Sequence, residues 1–186
     1  MKIGVLAVQG AFIEHEKMLE KLGIESVELR QKSDWNHQIA GLILPGGEST
    51  VQGKLLRELD LFHDLQQEIQ QGLPVLGTCA GLILLAQRIY HDTTTHFQTM
   101  PIEVKRNAYG RQLGSFSTKE MMKHVGLVDM EFIRAPYILD VADDVEVLAT
   151  VNHNIVAARY ENQLGLSFHP ELTKDTRIHE YFLSMI

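Results

Sequence analysis

The sequence holds one cysteine, Cys79, in 186 residues. No disulfide can form within the chain, and a lone cysteine points to a reducing, cytoplasmic setting. No apolar run approaches the ~18 residues that a membrane span needs, so no membrane partner is expected. The first eight residues are apolar but lack a basic leader and break at Gln9-Gly10, which argues against a signal peptide. Basic residues are the minority, 17 Lys and Arg against 24 Asp and Glu, for a net charge of −7. A phosphate-tracking surface wants a basic stripe, so no nucleic-acid partner is expected. Internal repeats, low-complexity tracts and Pro/Gly/Ser linkers are also missing. One domain over residues 1–186 is the economical reading, and the 45% of hydrophobic residues is ordinary for a globular chain.

What is present alternates. Residues 2–8 form an apolar run of the kind buried on both sheet faces. Residues 11–22 follow at helical spacing, then strands at 24–29 and 41–44. Residues 51–71 read as a helix broken near Asp60, residues 74–77 as a strand, and residues 80–90 as a helix carrying Leu82, Leu85, Ala86 and Ile89. Strand–helix alternation implies a parallel sheet with helices on both faces. The second half instead shows short strands at 102–105, 114–118, 131–134, 145–151, 155–160 and 164–168. Asn152-His153-Asn154 reads as a hairpin turn, and residues 175–186 as a closing amphipathic helix.

Gly77-Thr78-Cys79-Ala80-Gly81 lies between a strand and a helix, with glycines spaced as in a nucleophile elbow. A sharp turn there lifts the side chain off the sheet, and flanking glycines admit close neighbours. A helix start favours thiolate, and the Ala80 N–H points where an oxyanion would form. Most isolated cysteines are simply small buried hydrophobes; the glycine frame is what sets this one apart. His169, in Ser167-Phe168-His169-Pro170-Glu171, ends an apolar strand. Glu171, two residues on, shares its face if the chain is extended, giving the base and orienter that a thiol nucleophile needs. Alone, this tripeptide reads as a surface turn.

Leu44-Pro45-Gly46-Gly47-Glu48-Ser49-Thr50 also joins a strand to a helix. Its glycines free N–H groups for an anion or oxyanion, and Ser49 or Thr50 is placed to cap the helix; a plain tight turn is the competing reading. It is not a phosphate loop of the Gly-x-x-x-x-Gly-Lys-Ser/Thr kind. His91, Asp92 and His96 lie in a polar loop without a third close ligand of clear spacing, so no metal is expected. His15 is expected to be half-buried on the first helix, and His124, His153 and His179 to be exposed.

Taken in order, these pieces resemble the class I glutamine amidotransferases. Across essentially the whole chain the closer resemblance is to one branch, the glutaminase subunit of pyridoxal 5′-phosphate synthase. Val8-Gln9-Gly10-Ala11, Arg106-Asn107-Ala108-Tyr109-Gly110-Arg111-Gln112 and Phe132-Ile133-Arg134-Ala135-Pro136 carry it, beside the cysteine and His-Pro-Glu motifs. The resemblance implies a flavodoxin-like three-layer α/β sandwich: a mixed, mostly parallel sheet with helices on both faces and an antiparallel second half. It implies hydrolysis of L-glutamine by a triad of Cys79, His169 and Glu171, with Gly47 and Ala80 as oxyanion hole. Gly47, Glu48, Ser49, Arg106, Ile133 and Arg134 would bind substrate, Arg106 pairing with its carboxylate. No cofactor is implied. The implied partner is a (β/α)8-barrel synthase subunit in a large hetero-oligomer, which takes the ammonia. Val51-Gln52 and Tyr137 depart from the branch and are expected at the pocket rim or partner surface. A glutaminase serving another synthase and a catalytically silent subunit are the rival readings.

Overall fold

The computed structural model describes residues 1–36, 38–108 and 114–186. The apolar runs nucleate its sheet. β1 (Lys2–Leu6), β3 (Ile39–Leu44) and β4 (Val75–Thr78) lie parallel and adjacent, with β2 (Glu25–Leu29) outside β1. Strand geometry sends successive side chains to opposite faces. Accordingly Leu42 and Leu44 enter one apolar cluster while Ile43 enters the other.

β12 (Gln163–Leu166) joins β4 in parallel, and from there the pairing reverses. β11 (Asn154–Tyr160) runs antiparallel to β12, to β9 (Tyr137–Val141) and to β10 (Glu146–Val151); β9 also pairs antiparallel with β6 (Met100–Lys105). β5 (Ala86–Ile89) closes the far edge parallel to β6, giving the order β2-β1-β3-β4-β12-β11-β9-β6-β5. β7 (Ser115–Met122) and β8 (Gly126–Ile133) form a separate antiparallel ribbon.

Both faces of the large sheet are covered. Leu19 of α1 (Phe12–Lys21) and Ile178 and Phe182 of α5 (Arg177–Leu183) pack with Ile3 and Val5 of β1 and with Phe132 of the ribbon. On the other face lie Leu56 of α2 (Ser49–Glu58), Phe62 and Leu65 of α3 (Phe62–Gln70), and the whole apolar run of α4 (Ala80–Leu85). This is the flavodoxin-like three-layer α/β arrangement, with an antiparallel second half. No described helix is long and apolar enough to cross a membrane.

Several expectations hold in detail. The helix over 51–71 breaks at Asp60, whose φ is 56°, and Asn152 and His153, at φ 50° and 65°, make the hairpin between β10 and β11. That left-handed pair matches the right-handed twist of the flanking strands. Three expectations fail. The helix expected over 80–90 stops at Leu85, and the chain continues as β5, where Ala86 pairs with Met100 and Ile89 with Val104. The apolar spacing there suits either a buried helix or a strand, and a partner segment far along the chain decides. β9, unmarked by the sequence pattern, bridges β6 and β11. Finally, α2 begins at Ser49 with Glu48 at the cap position and no side-chain capping bond, so neither Ser49 nor Thr50 caps it.

Candidate active site

β4 and β12 are parallel neighbours, Thr78 opposite Leu166, so both strands end at the same sheet edge. Ligand sites of open α/β sheets gather at such carboxyl ends. Cys79 comes directly after β4, and His169 lies three residues beyond β12. The Cys79 N–H donates to the Leu166 carbonyl at 2.8 Å, tying the two segments together.

Cys79 sits at φ 50° and ψ −101°, a conformation that costs a non-glycine residue roughly 1–3 kcal/mol. The flanking glycines permit it. A Cβ on Gly81 would lie 2.0 Å from the Leu44 carbonyl oxygen, and one on Gly77 would lie 2.8 Å from the Gly81 carbonyl. The sulfur faces the Ile133 carbonyl at 4.0 Å.

His169 and Glu171 meet differently from the expected extended pairing. Pro170 starts a 3-10 turn, Pro170–Leu172, with His169 at its cap. The turn brings His169 Nδ1 to 2.6 Å from Glu171 Oε1. Both residues are buried, and the His169 N–H is anchored on the Glu131 carbonyl of β8 at 2.8 Å. Burial alone would push the His169 imidazole down. Hydrogen bonds to Cys79 and Glu171, and the charges of both, outweigh it and raise His169 to about 10. Burial likewise works to raise the Glu171 carboxyl. The facing His15 and His169 rings, with the His169 hydrogen bond, hold it below its ordinary value. Such a pair favours a charged imidazole beside the sulfur.

A cleft of about 380 Å³ opens over the sulfur. Cys79, His169, Gly47, Glu48, Ser49, Ala80, Arg106, Ile133 and Arg134 all line it, while Glu171 lies behind His169 and does not. Glu48 faces Arg134 at 3.7 Å, a loose pair because both side chains are mostly exposed. Arg106 Nη1 donates to Asp92 at 2.9 Å, and its Nε and Nη2 have no partner among the described residues. The Gly46 carbonyl accepts the Ala11 N–H at 2.9 Å. In a trans peptide the N–H opposes the C=O, so this bond turns the Gly47 N–H away from the β1–α1 turn. Of the motif beginning at Arg106, residues 109–112 lie outside the described residues.

Gln52, expected at the rim or the partner surface, is instead fully buried. Its Nε2 donates to the Gln9 carbonyl at 3.0 Å and the Pro45 carbonyl at 3.1 Å, while Gln9 Oε1 accepts the Glu48 N–H at 2.8 Å. The amide therefore staples the two glycine turns to each other. Leucine fits the volume but leaves both carbonyls unsatisfied, at about 1–3 kcal/mol each. Gln52→Leu is expected to lower the thermal midpoint by several degrees, read by circular dichroism. Val51 is 44% exposed and Tyr137 half-buried at the start of β9.

His15 and His179, expected half-buried and exposed, are both completely buried. Spacing on helices α1 and α5 carried the signal, since each shares a face with core residues. Asp92 is engaged by Arg106, and His96 is buried, with a Cβ on Gly53 falling 2.1 Å from its Nδ1. No group of three His, Cys, Asp or Glu residues suited to a metal occurs among the described residues.

A thiol on a left-handed elbow, a buried histidine–glutamate pair and a facing glycine turn on this sheet define an amidotransferase-like protein. Residues 5–186 match the sequence model of the SNO glutamine amidotransferase family, and the chain belongs to it. It is 63% identical over 186 residues to the pyridoxal 5′-phosphate synthase subunit PdxT of Desulfitobacterium hafniense, covering 100% of this chain and 94% of the relative. Against the protein of the same name from Streptococcus pneumoniae it is 56% identical over 188 residues, covering 100% and 97%. A crystal structure of a glutamine amidotransferase superposes with a TM-score of 0.94 at 41% identity, covering 98% of this chain and 97% of that one. A glutamine amidotransferase from Thermotoga maritima, at 18% identity and TM-score 0.64, shares the fold and covers 98% of this chain and 83% of its own.

Proposed function

We propose that this chain is the glutaminase subunit of a cytoplasmic pyridoxal 5′-phosphate synthase. It hydrolyses L-glutamine to L-glutamate and hands the ammonia to a (β/α)8-barrel synthase subunit. The observation that carries the reading is the 2.6 Å bond from Glu171 to His169, which lines the same cleft as Cys79. The names of the relatives support the pathway.

In this reading the Cys79 thiolate attacks the side-chain amide carbon of glutamine. The oxyanion that forms is met by the N–H groups of Gly47 and Ala80, both of which line the cleft. His169, charged beside the sulfur, protonates the departing nitrogen, and ammonia leaves a γ-glutamyl thioester. Neutral His169 then takes a proton from water as it attacks the thioester, and glutamate and the thiolate are released. Glu171 keeps the imidazole in the required tautomer throughout. Arg106, which lines the cleft, takes the substrate carboxylate, and Glu48, Ser49 and the Ile133–Arg134 segment close around its other end.

The test is glutamate release by the chain alone and with the barrel subunit. Slow release alone and fast release in the mixture is the expected result. Transfer of label from amide-15N glutamine into pyridoxal 5′-phosphate would establish the hand-off. No release in either case would overturn the reading.

A further inference from the structure

The site described so far leaves two buried histidines unused. His15 of α1 and His179 of α5 are each 0% exposed, and neither lines the cleft. They stand in a row behind Glu171. His179 Nε2 is 3.0 Å from His15 Nδ1, and His15 Nε2 is 3.2 Å from Thr78 Oγ1 and 3.4 Å from Glu171 Oε2. Glu171 thus faces His169 with one oxygen and His15 with the other. Oε2 makes no hydrogen bond of ordinary geometry, and His15 is the group that approaches it.

The proton positions follow from what each atom can do. An ionised carboxylate only accepts, so His15 must turn Nε2–H, not a lone pair, toward Oε2 at 3.4 Å, with Thr78 Oγ1 at 3.2 Å as the nearer acceptor. Full burial keeps His15 below its ordinary value despite the opposing Glu171 and Glu14 charges, with His169 adding to the depression. A neutral His15 bearing Nε2–H has a bare Nδ1. His179 must then donate from Nε2, which leaves its own Nδ1 as a lone pair. Nδ1 of His179 is indeed without a partner among the described residues. An orphaned lone pair is the cheaper of the two defects, since buried orphan N–H groups are rarer. Burial and His15, with Lys21 nearby, lower His179 to about 3 against the opposing pull of Glu171, so it too is neutral.

We propose that His179 and His15 form a one-way donor chain that positions Glu171, and through it His169, for the glutaminase reaction. The inference rests on the functional reading above. Its reach is long because His179 sits on α5, 164 residues from His15. A helix far along the chain thereby sets the tautomer of the group that orients the catalytic carboxylate.

Nitrogen-15 NMR of the imidazoles in the intact chain at pH 7 tests the proton order directly. Both His15 and His179 are expected as neutral Nε2–H tautomers. A proton on Nδ1 of His15, or a charged His15, overturns the proposal. The functional arm compares His15→Gln, whose amide reaches the Nε2 position, with His15→Asn, whose amide reaches only Nδ1. With the barrel subunit present, Gln should keep kcat within about threefold and Asn lose about tenfold or more, with KM unchanged in both. Equal kcat values overturn it. Should His15→Asn not fold, His179→Leu against His179→Gln gives the same contrast. Alkylation of Cys79 by iodoacetamide at pH 7 should slow in the same variants that lose kcat. That rate does not require glutamine, so if wild-type chain and partner release no glutamate, the functional reading falls while tautomers and alkylation still decide this inference.

Discussion

Cys79→Ala is expected to abolish glutamate release, by roughly 10⁴-fold or more, in a chain that remains folded. The loss follows because no other residue described in the cleft offers a nucleophile with a base beside it. Ser49 and Thr50 line the cleft, but the histidine there, His169, is held by Glu171 and is raised by its interaction with Cys79. The fold should survive because the substitution removes one small atom at a site already 7% exposed, and the backbone strain at φ 50° is the same for alanine. The variant also has a signature in pH. His169 is raised from 6.5 to about 10, so its pairing contributes stability that is fully present below pH 6.5 and lost as pH rises through about 10. Removing the sulfur takes away one cause of that rise. The imidazole should titrate lower in Cys79→Ala, so the pH-dependent loss of thermal stability, which starts near pH 6.5 in both proteins, should be smaller and should level off at a lower pH than in the wild type. Proton NMR of the ring and melting curves between pH 6 and 10 read both effects. Undiminished glutamate release by the variant would remove Cys79 from the mechanism.

Much of this site was legible because its parts are local. Gly77-Thr78-Cys79-Ala80-Gly81 specifies its own turn, and the structure shows why each glycine is needed, with Gly81 against the Leu44 carbonyl. The parallel half of the fold was legible for a similar reason: β1, β3 and β4 are runs that only a sheet covered on both faces accommodates. What escaped depends on distant segments. Nothing within residues 86–89 separates a helix end from a strand until β6 is beside them. His15 read as half-buried and His179 as a surface residue; their meeting requires α1 and α5 to pack on the same sheet face. Gln52 looked like a departure from a family pattern and proved to hold two glycine turns that the sequence separates by more than thirty residues. The partner of Glu48 likewise comes from the end of β8, as Arg134.

Gly46→Ala should disable the chemistry while sparing the fold, whereas Gly81→Ala should do the reverse in order of severity and lose the fold first. Both glycines are crowded, but by different things. The Cβ of an alanine at 46 would lie 2.3 Å from His169 Cε1 and 2.9 Å from its Nδ1. The imidazole is not free to swing aside, because Nδ1 is held 2.6 Å from Glu171 and the ring is buried. The clash is relieved by moving His169 by about 1 Å, and a displacement of that size in a reacting group costs on the order of 10²-fold in rate. At position 81 the obstacle is backbone: the added carbon would sit 2.0 Å from the Leu44 carbonyl oxygen and 2.8 Å from its carbon, inside the β3–α4 contact. Relief there requires separating a core strand from the helix that begins at the nucleophile, which is expected to cost more than about 4 kcal/mol. Glutaminase kcat and the thermal midpoint, measured on both variants, should therefore move in opposite proportions. A Gly46→Ala chain with wild-type kcat would show that His169 need not occupy the position it has here, and would separate the buried histidine–glutamate pair from the reaction.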